Sequence, residues 1–140
     1  MKIVLISCVS KKRDKEMEAG ELYISTLFKY NLRYARKLNP DRIFILSAKY
    51  GLLNLNEKIK PYNLTLNKMP EKERKEWSEQ VLSKLKLTSN LDKDEFIFLA
   101  GNRYRKYLVT RIKNYKIPLK GLGIGKQLKF LKEKINEQKL

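Results

Sequence analysis

The stretch that decides the fold is Ile43 to Leu66, IFILSAKYGLLNLNEKIKPYNLTL. Its first four residues, Ile43-Phe44-Ile45-Leu46, form a short continuous apolar run, the pattern of a buried strand. The run stops at Ser47-Ala48-Lys49-Tyr50-Gly51, where small, cationic, aromatic and glycine residues offer little to a core. Residues of that kind suit a loop that approaches a ligand closely. A strand ending in such a loop is where open α/β sheets carry their chemistry. Further on, Ile59-Lys60-Pro61-Tyr62-Asn63 sets a second aromatic beside a proline and a lysine.

Working outward, Ile3 to Val9 and Glu95 to Ala100 repeat the buried-strand pattern, and Ile117 to Leu119 makes a fourth, shorter one. Between the first two, Tyr23, Leu27, Tyr30, Tyr34 and Leu38 recur at helical spacing. They predict a helix over Glu21 to Leu38, stopped by Asn39-Pro40-Asp41. Ala48 to Met69 reads as one long loop. Pro70 then opens a helix striped by Trp77, Val81 and Leu85. Gly101-Asn102 lead into a third helix carrying Tyr104, Leu108, Ile112 and Tyr115, and Gly121 to Gly125 open a last one carrying Leu128, Leu131 and Ile135. With no repeat and no linker, residues 1–140 read as a single domain. Strand-helix alternation predicts a three-layer, Rossmann-like α/β fold, a mainly parallel four-stranded sheet with helices on both faces.

In that fold every strand-to-helix junction meets on one sheet edge. The four junctions are Ser7 to Lys12, Ser47 to Gly51, Ala100 to Tyr104 and Gly121 to Lys126, each pairing Ser, Gly or Asn with Lys or Arg. Together they predict a small-lined, cationic pocket for a nucleotide or another phosphate-bearing small molecule. Its expected members are Cys8, Ser10, Lys11, Lys12, Tyr23, Ser47, Lys49, Tyr50, Gly51, Tyr62, Gly101, Asn102, Tyr104, Gly123 and Lys126. Lys11, Lys49 and Lys126 would neutralise phosphate, Ser10, Ser47 and Asn102 would hydrogen bond, and Tyr50 or Tyr62 would stack on a base. Plainer readings stand beside these. Gly121-Leu122-Gly123-Ile124-Gly125 lacks the spacing of a dinucleotide fingerprint and serves equally as a tight turn and helix start. Cys8 at a strand end suits a small core position, and Lys11-Lys12-Arg13 suits a solvated loop.

Charge points to partners. The formal net charge is +17, from 32 basic and 15 acidic side chains. Such an excess favours a polyanion, nucleic acid first, although lysine-rich composition also arises from thermal adaptation. From Phe96 to Lys132 there is no Asp or Glu. Arg103, Arg105, Lys106, Arg111, Lys113 and Lys129 within that span are the expected nucleic-acid face, interleaved with Tyr104, Tyr107, Tyr115 and Phe130. The chain has one cysteine and no histidine. An intrachain disulfide, the usual zinc patterns and Ser-His or Cys-His catalysis are thereby excluded, and a reducing, cytoplasmic setting fits. No metal and no cofactor is expected. No apolar run approaches a membrane span, and Lys2 to Ile6 reads as a first strand rather than a signal-peptide core.

Cys8-Val9-Ser10-Lys11-Lys12, Leu22 to Phe28, Ile45 to Leu53, Pro61 to Leu66, Ala100 to Tyr104 and Gly121 to Gly125 together resemble an uncharacterised family of small cytosolic and phage proteins. The Leu46-Ser47-Ala48-Lys49-Tyr50-Gly51-Leu52-Leu53 and Pro61-Tyr62 motifs are also similar to those of the YaaA-type peroxide-stress family. That resemblance implies DNA binding and brings no established reaction. The expected function is therefore a nucleic-acid-binding α/β protein, for DNA first, with a cationic phosphate pocket at the strand ends. An enzyme acting on a nucleotide or nucleobase by transfer or hydrolysis is the alternative, although Glu21 and Glu57 are the only carboxylates near the motifs. A protein-interaction module with solubilising lysines is the third.

Overall fold

The computed structural model describes residues 1–7 and 12–137. Three continuous apolar runs form the centre of a sheet. β1 (Lys2–Ser7) lies between β3 (Arg42–Ser47) and β6 (Glu95–Leu99) and is parallel to both. Register is tight: Leu5 sits between Phe44 and Phe98. Strand residues alternate between two apolar clusters, as the two-residue period of a strand requires. Ile3, Leu5, Phe44, Leu46, Phe96 and Phe98 share one cluster with Trp77, Val81, Leu82 and Leu85 of α3 (Glu71–Thr88) and Leu108 of α4 (Asn102–Val109). Val4, Ile6, Ile45, Ile97 and Leu99 share the other with Phe28, Leu32 and Ala35 of α2 (Thr26–Lys37) and Leu131 of α5 (Ile124–Asn136). Burial on both sides explains why these strands are apolar throughout. Each fully buried Phe or Leu contributes about 1.5–3 kcal/mol.

The sheet has five strands, not the four expected, in the order β4-β3-β1-β6-β7. The extra strand, β4 (Gly51–Asn54), lies inside the segment read as a long loop and pairs antiparallel to β3, with Ser47 opposite Gly51. Gly51 has φ +73°, a left-handed conformation that glycine adopts without steric penalty, and this turns the chain back on β3. The second junction is thus a hairpin turn rather than a strand-to-helix step. The turn is closed by the Tyr50 amide, which donates to Ser47 Oγ at 3.1 Å. β7 is the two residues Tyr115–Lys116, parallel to β6, so the expected strand at Ile117 to Leu119 is displaced and Tyr115 is not helical. A further two-stranded ribbon pairs β2 (Met17–Glu18) with β5 (Lys58–Ile59), both in segments read as loop.

The helix expected over Glu21 to Leu38 is two pieces. α1 (Ala19–Leu22) is a single turn, and Tyr23 is extended. Ser25 caps α2, its Oγ accepting from the Phe28 amide at 3.1 Å. The fully buried face of α2 is Phe28, Asn31, Leu32 and Ala35, while Leu27, Tyr30 and Tyr34 lie half-buried beside it. Among the described residues no helix is long and apolar enough to cross a membrane.

Candidate functional site

Ser7, Ser47 and Leu99 end the three central strands on one sheet edge, and polar residues gather there in two places. The first lies beside β3. Ser47 Oγ donates to the Tyr62 hydroxyl at 2.8 Å, and the Tyr62 and Tyr23 hydroxyls are hydrogen bonded at 2.8 Å. The Tyr62 ring meets Tyr23 and Tyr50 edge-on, with centroids 6.4 and 5.6 Å apart. Lys12 Nζ stands 4.5 Å from the Tyr62 ring centroid. Behind the strand, the Trp77 indole N–H donates to the Ser47 carbonyl oxygen at 2.8 Å.

The second place is a cavity of about 360 Å³ between the ends of β1 and β6, α2, and the starts of α4 and α5. Its walls include Ser7, Leu27, Asn31, Leu99, Gly101, Asn102, Tyr104, Arg105, Gly121, Leu122, Ile124 and Gln127. No carboxylate lines it among the described residues. The Gly101 amide donates to Ser7 Oγ at 3.3 Å, tying the third junction to the end of β1. Arg105 is half-buried, and its Nη1–H donates to the Ala100 carbonyl at 2.7 Å. Burial pulls its guanidinium below its ordinary pKa, though an arginine stays charged in proteins. Among the described residues no acidic side chain pairs with it.

Asn31 projects from the apolar face of α2 into this wall. It is 3 % exposed, and its Oδ1 has no hydrogen-bond partner among the described residues. An unpaired buried carbonyl of this kind costs about 1–3 kcal/mol. On the opposite sheet edge acids are prominent. Asp41 accepts from the Lys2 amide at 2.7 Å, and Asp94 accepts from the Met1 ammonium and the Asn90 amide at 2.6 and 2.7 Å. Those bonds hold the Asp94 carboxyl below its ordinary pKa.

Of the expected pocket residues, Gly101, Asn102 and Tyr104 line the cavity, whereas Lys12, Tyr23, Ser47, Tyr50 and Tyr62 form the neighbouring hydroxyl-aromatic cluster. Gly51 is spent on the hairpin. Lys49 lies over the Tyr50 ring with its Nζ 5.3 Å away, and Gly123 and Lys126 are exposed at the start of α5, outside the cavity wall. Cys8, Ser10 and Lys11 lie outside the described residues. Of the expected nucleic-acid face, Arg103, Arg105 and Lys106 sit on α4, and Lys129 sits on α5, which packs in the other core cluster. Arg111 is held by Glu79 at 2.8 Å, and Lys113 lies beyond the end of α4 with its amide on the Leu91 carbonyl. Asn31 and Gln127 were not expected, and Ser7 was expected only as the start of the first junction. The one sequence signal for Asn31 is a polar residue three positions after Phe28, on a stripe otherwise apolar.

Compared with known protein families, residues 3–133 match a family of unknown function, DUF6884. The chain belongs to that family. No curated protein matches it. The DUF6884 match spans both the hydroxyl cluster and the cavity, since it runs from β1 through α5 to Glu133. Among the described residues, the cavity wall of this DUF6884 chain brings together the Arg105 guanidinium, the Asn31 amide and the starts of α4 and α5.

Proposed function

We propose that this DUF6884 protein binds the phosphate of a nucleotide in the cavity at the ends of β1 and β6, and uses its excess positive charge to bind nucleic acid, DNA in the first place. The observation that carries this reading is Arg105. It is a half-buried guanidinium on a cavity wall with no carboxylate among the described residues to neutralise it, and burying a cation unpaired is costly unless an anion arrives. Supporting it are the absence of acids from Phe96 to Lys132 and the starts of α4 and α5 at the cavity. The sheet with helices contributing to two core clusters fits a Rossmann-like, three-layer reading, in which ligands bind at this edge. The motif likeness to YaaA-type proteins points to the same class of partner.

The test is calorimetric titration with ribonucleoside 5′-monophosphates, with a labelled DNA duplex measured in parallel across a salt series. Arg105→Gln weakens nucleotide binding by about 1.5–3 kcal/mol, on the order of ten- to a hundredfold, while leaving unfolding nearly unchanged. Duplex affinity falls steeply with added salt. Nucleotide affinity equal in the wild-type and Arg105→Gln proteins sinks the pocket, and a duplex affinity indifferent to salt sinks the polymer partner.

A further inference from the structure

We infer that Asn31 selects the ligand: it is the acceptor for an N–H of a nucleobase, so the cavity takes a base-bearing phosphate rather than phosphate alone. This rests on the nucleotide reading above and names which part of the nucleotide each wall holds. Asn31 and Arg105 border the same cavity, and they offer opposite chemistry. Arg105 has only donors to give; Asn31 Oδ1 is an acceptor with no donor. A free phosphate satisfies the first and leaves the Asn31 oxygen without a donor. A nucleoside monophosphate satisfies both, because its phosphate carries acceptors and its base carries N–H donors.

The surroundings agree with a base at that end. Leu27, Leu99, Leu119 and Leu122 line the same cavity as Asn31, and apolar lining of this kind suits a flat ring. Ile124, 67 % exposed, adds apolar surface to the same wall. The asparagine oxygen is covered by its own surroundings in the free protein; the inferred role has the amide turn about χ2, a soft torsion, to present that oxygen to the ligand. A polar group left unpaired in the free protein and paired only by ligand is a stability cost kept for function.

The test compares the four ribonucleoside 5′-monophosphates with ribose 5-phosphate, which keeps the phosphate and lacks the base, by calorimetry on the full chain. In the wild-type protein at least one nucleotide binds roughly tenfold more tightly than ribose 5-phosphate. Asn31→Leu abolishes that gap and leaves ribose 5-phosphate affinity unchanged. Asn31→Ala, which demands no extra room, does the same. Without ligand, Asn31→Leu melts no lower than the wild-type protein, since the substitution removes an unpaired buried carbonyl. A gap that survives in both variants, or a Tm several degrees lower in both, overturns the role of Asn31 and leaves the phosphate site standing. Equal binding of nucleotide and ribose 5-phosphate to the wild-type protein does the same. Binding of neither probe overturns the phosphate site and this inference with it.

Discussion

The hydroxyl-aromatic cluster beside β3 and the cavity beside β6 occupy one sheet edge and use similar residues, yet they spend them differently. In the cluster, Ser47, Tyr62 and Tyr23 satisfy one another, the three tyrosine rings meet edge-on, and Lys12 lies against the Tyr62 ring. In the cavity, Asn31 Oδ1 is unpaired and Arg105 has no acidic partner among the described residues. Polar groups that complete each other within the chain stabilise the fold, whereas groups left incomplete are available to a ligand. The difference fits a cluster that holds residues 48–69 against the sheet, and makes the cavity the place where the proposed binding is to be tested.

Trp77 joins the two regions, and its loss has the largest expected effect. Its indole N–H holds the Ser47 carbonyl, and its ring stands perpendicular to that of Tyr104, which lines the cavity, with centroids 5.8 Å apart. Trp77→Ala costs about 3–5 kcal/mol in urea unfolding, a large share of a small domain's stability. Nucleotide binding weakens with it, because the Tyr104 wall loses its support. Full nucleotide affinity at unchanged Tm would mean the two regions are not coupled through this ring.

Tyr62→Phe comes next and separates the regions. It removes the hydroxyl between Ser47 and Tyr23 and keeps the ring, so it costs about 1–2 kcal/mol of stability. Nucleotide affinity stays within about twofold. A stable Tyr62→Phe protein that no longer binds nucleotide would reverse the comparison and make the cluster the ligand site.

How far each region was legible in the sequence follows from what determines it. The three central strands were plain because burial on both sides demands uninterrupted apolar runs at Ile3, Ile43 and Phe96. β4 and β7 were hidden: four and two residues at the sheet margins owe their pairing to neighbours, not to their own pattern. The break at Tyr23 was hidden too, since its extended backbone bridges Lys12 and its hydroxyl meets that of Tyr62, 39 residues away. Gly101, Asn102 and Tyr104 could be placed near a pocket because they follow a strand directly. Arg105 read as part of an outer basic face, because only the packing of α4 turns it to the cavity. Asn31 was submerged among tyrosines at helical spacing, on a helix whose buried face is set by Phe28, Leu32 and Ala35 instead.

The smallest effect draws the sharpest line between the regions, and it comes from two glycines. Gly51, on the cluster side, is required by the fold: with φ +73°, any added Cβ is strained wherever it points, and Gly51→Ala costs about 1–2 kcal/mol. Gly101, on the cavity side, has an ordinary φ of −63° and nothing within 4 Å of where a Cβ would lie. The free fold therefore has no need of glycine there, and Gly101→Ala leaves unfolding unchanged or raises stability by up to about 1 kcal/mol. The space that a Cβ would take is at the cavity wall, so the loss appears in ligand affinity alone, as a several-fold weaker nucleotide titration. Equal behaviour of the two variants, each destabilised or each silent in binding, would erase the distinction between a glycine kept for the turn and one kept for the ligand.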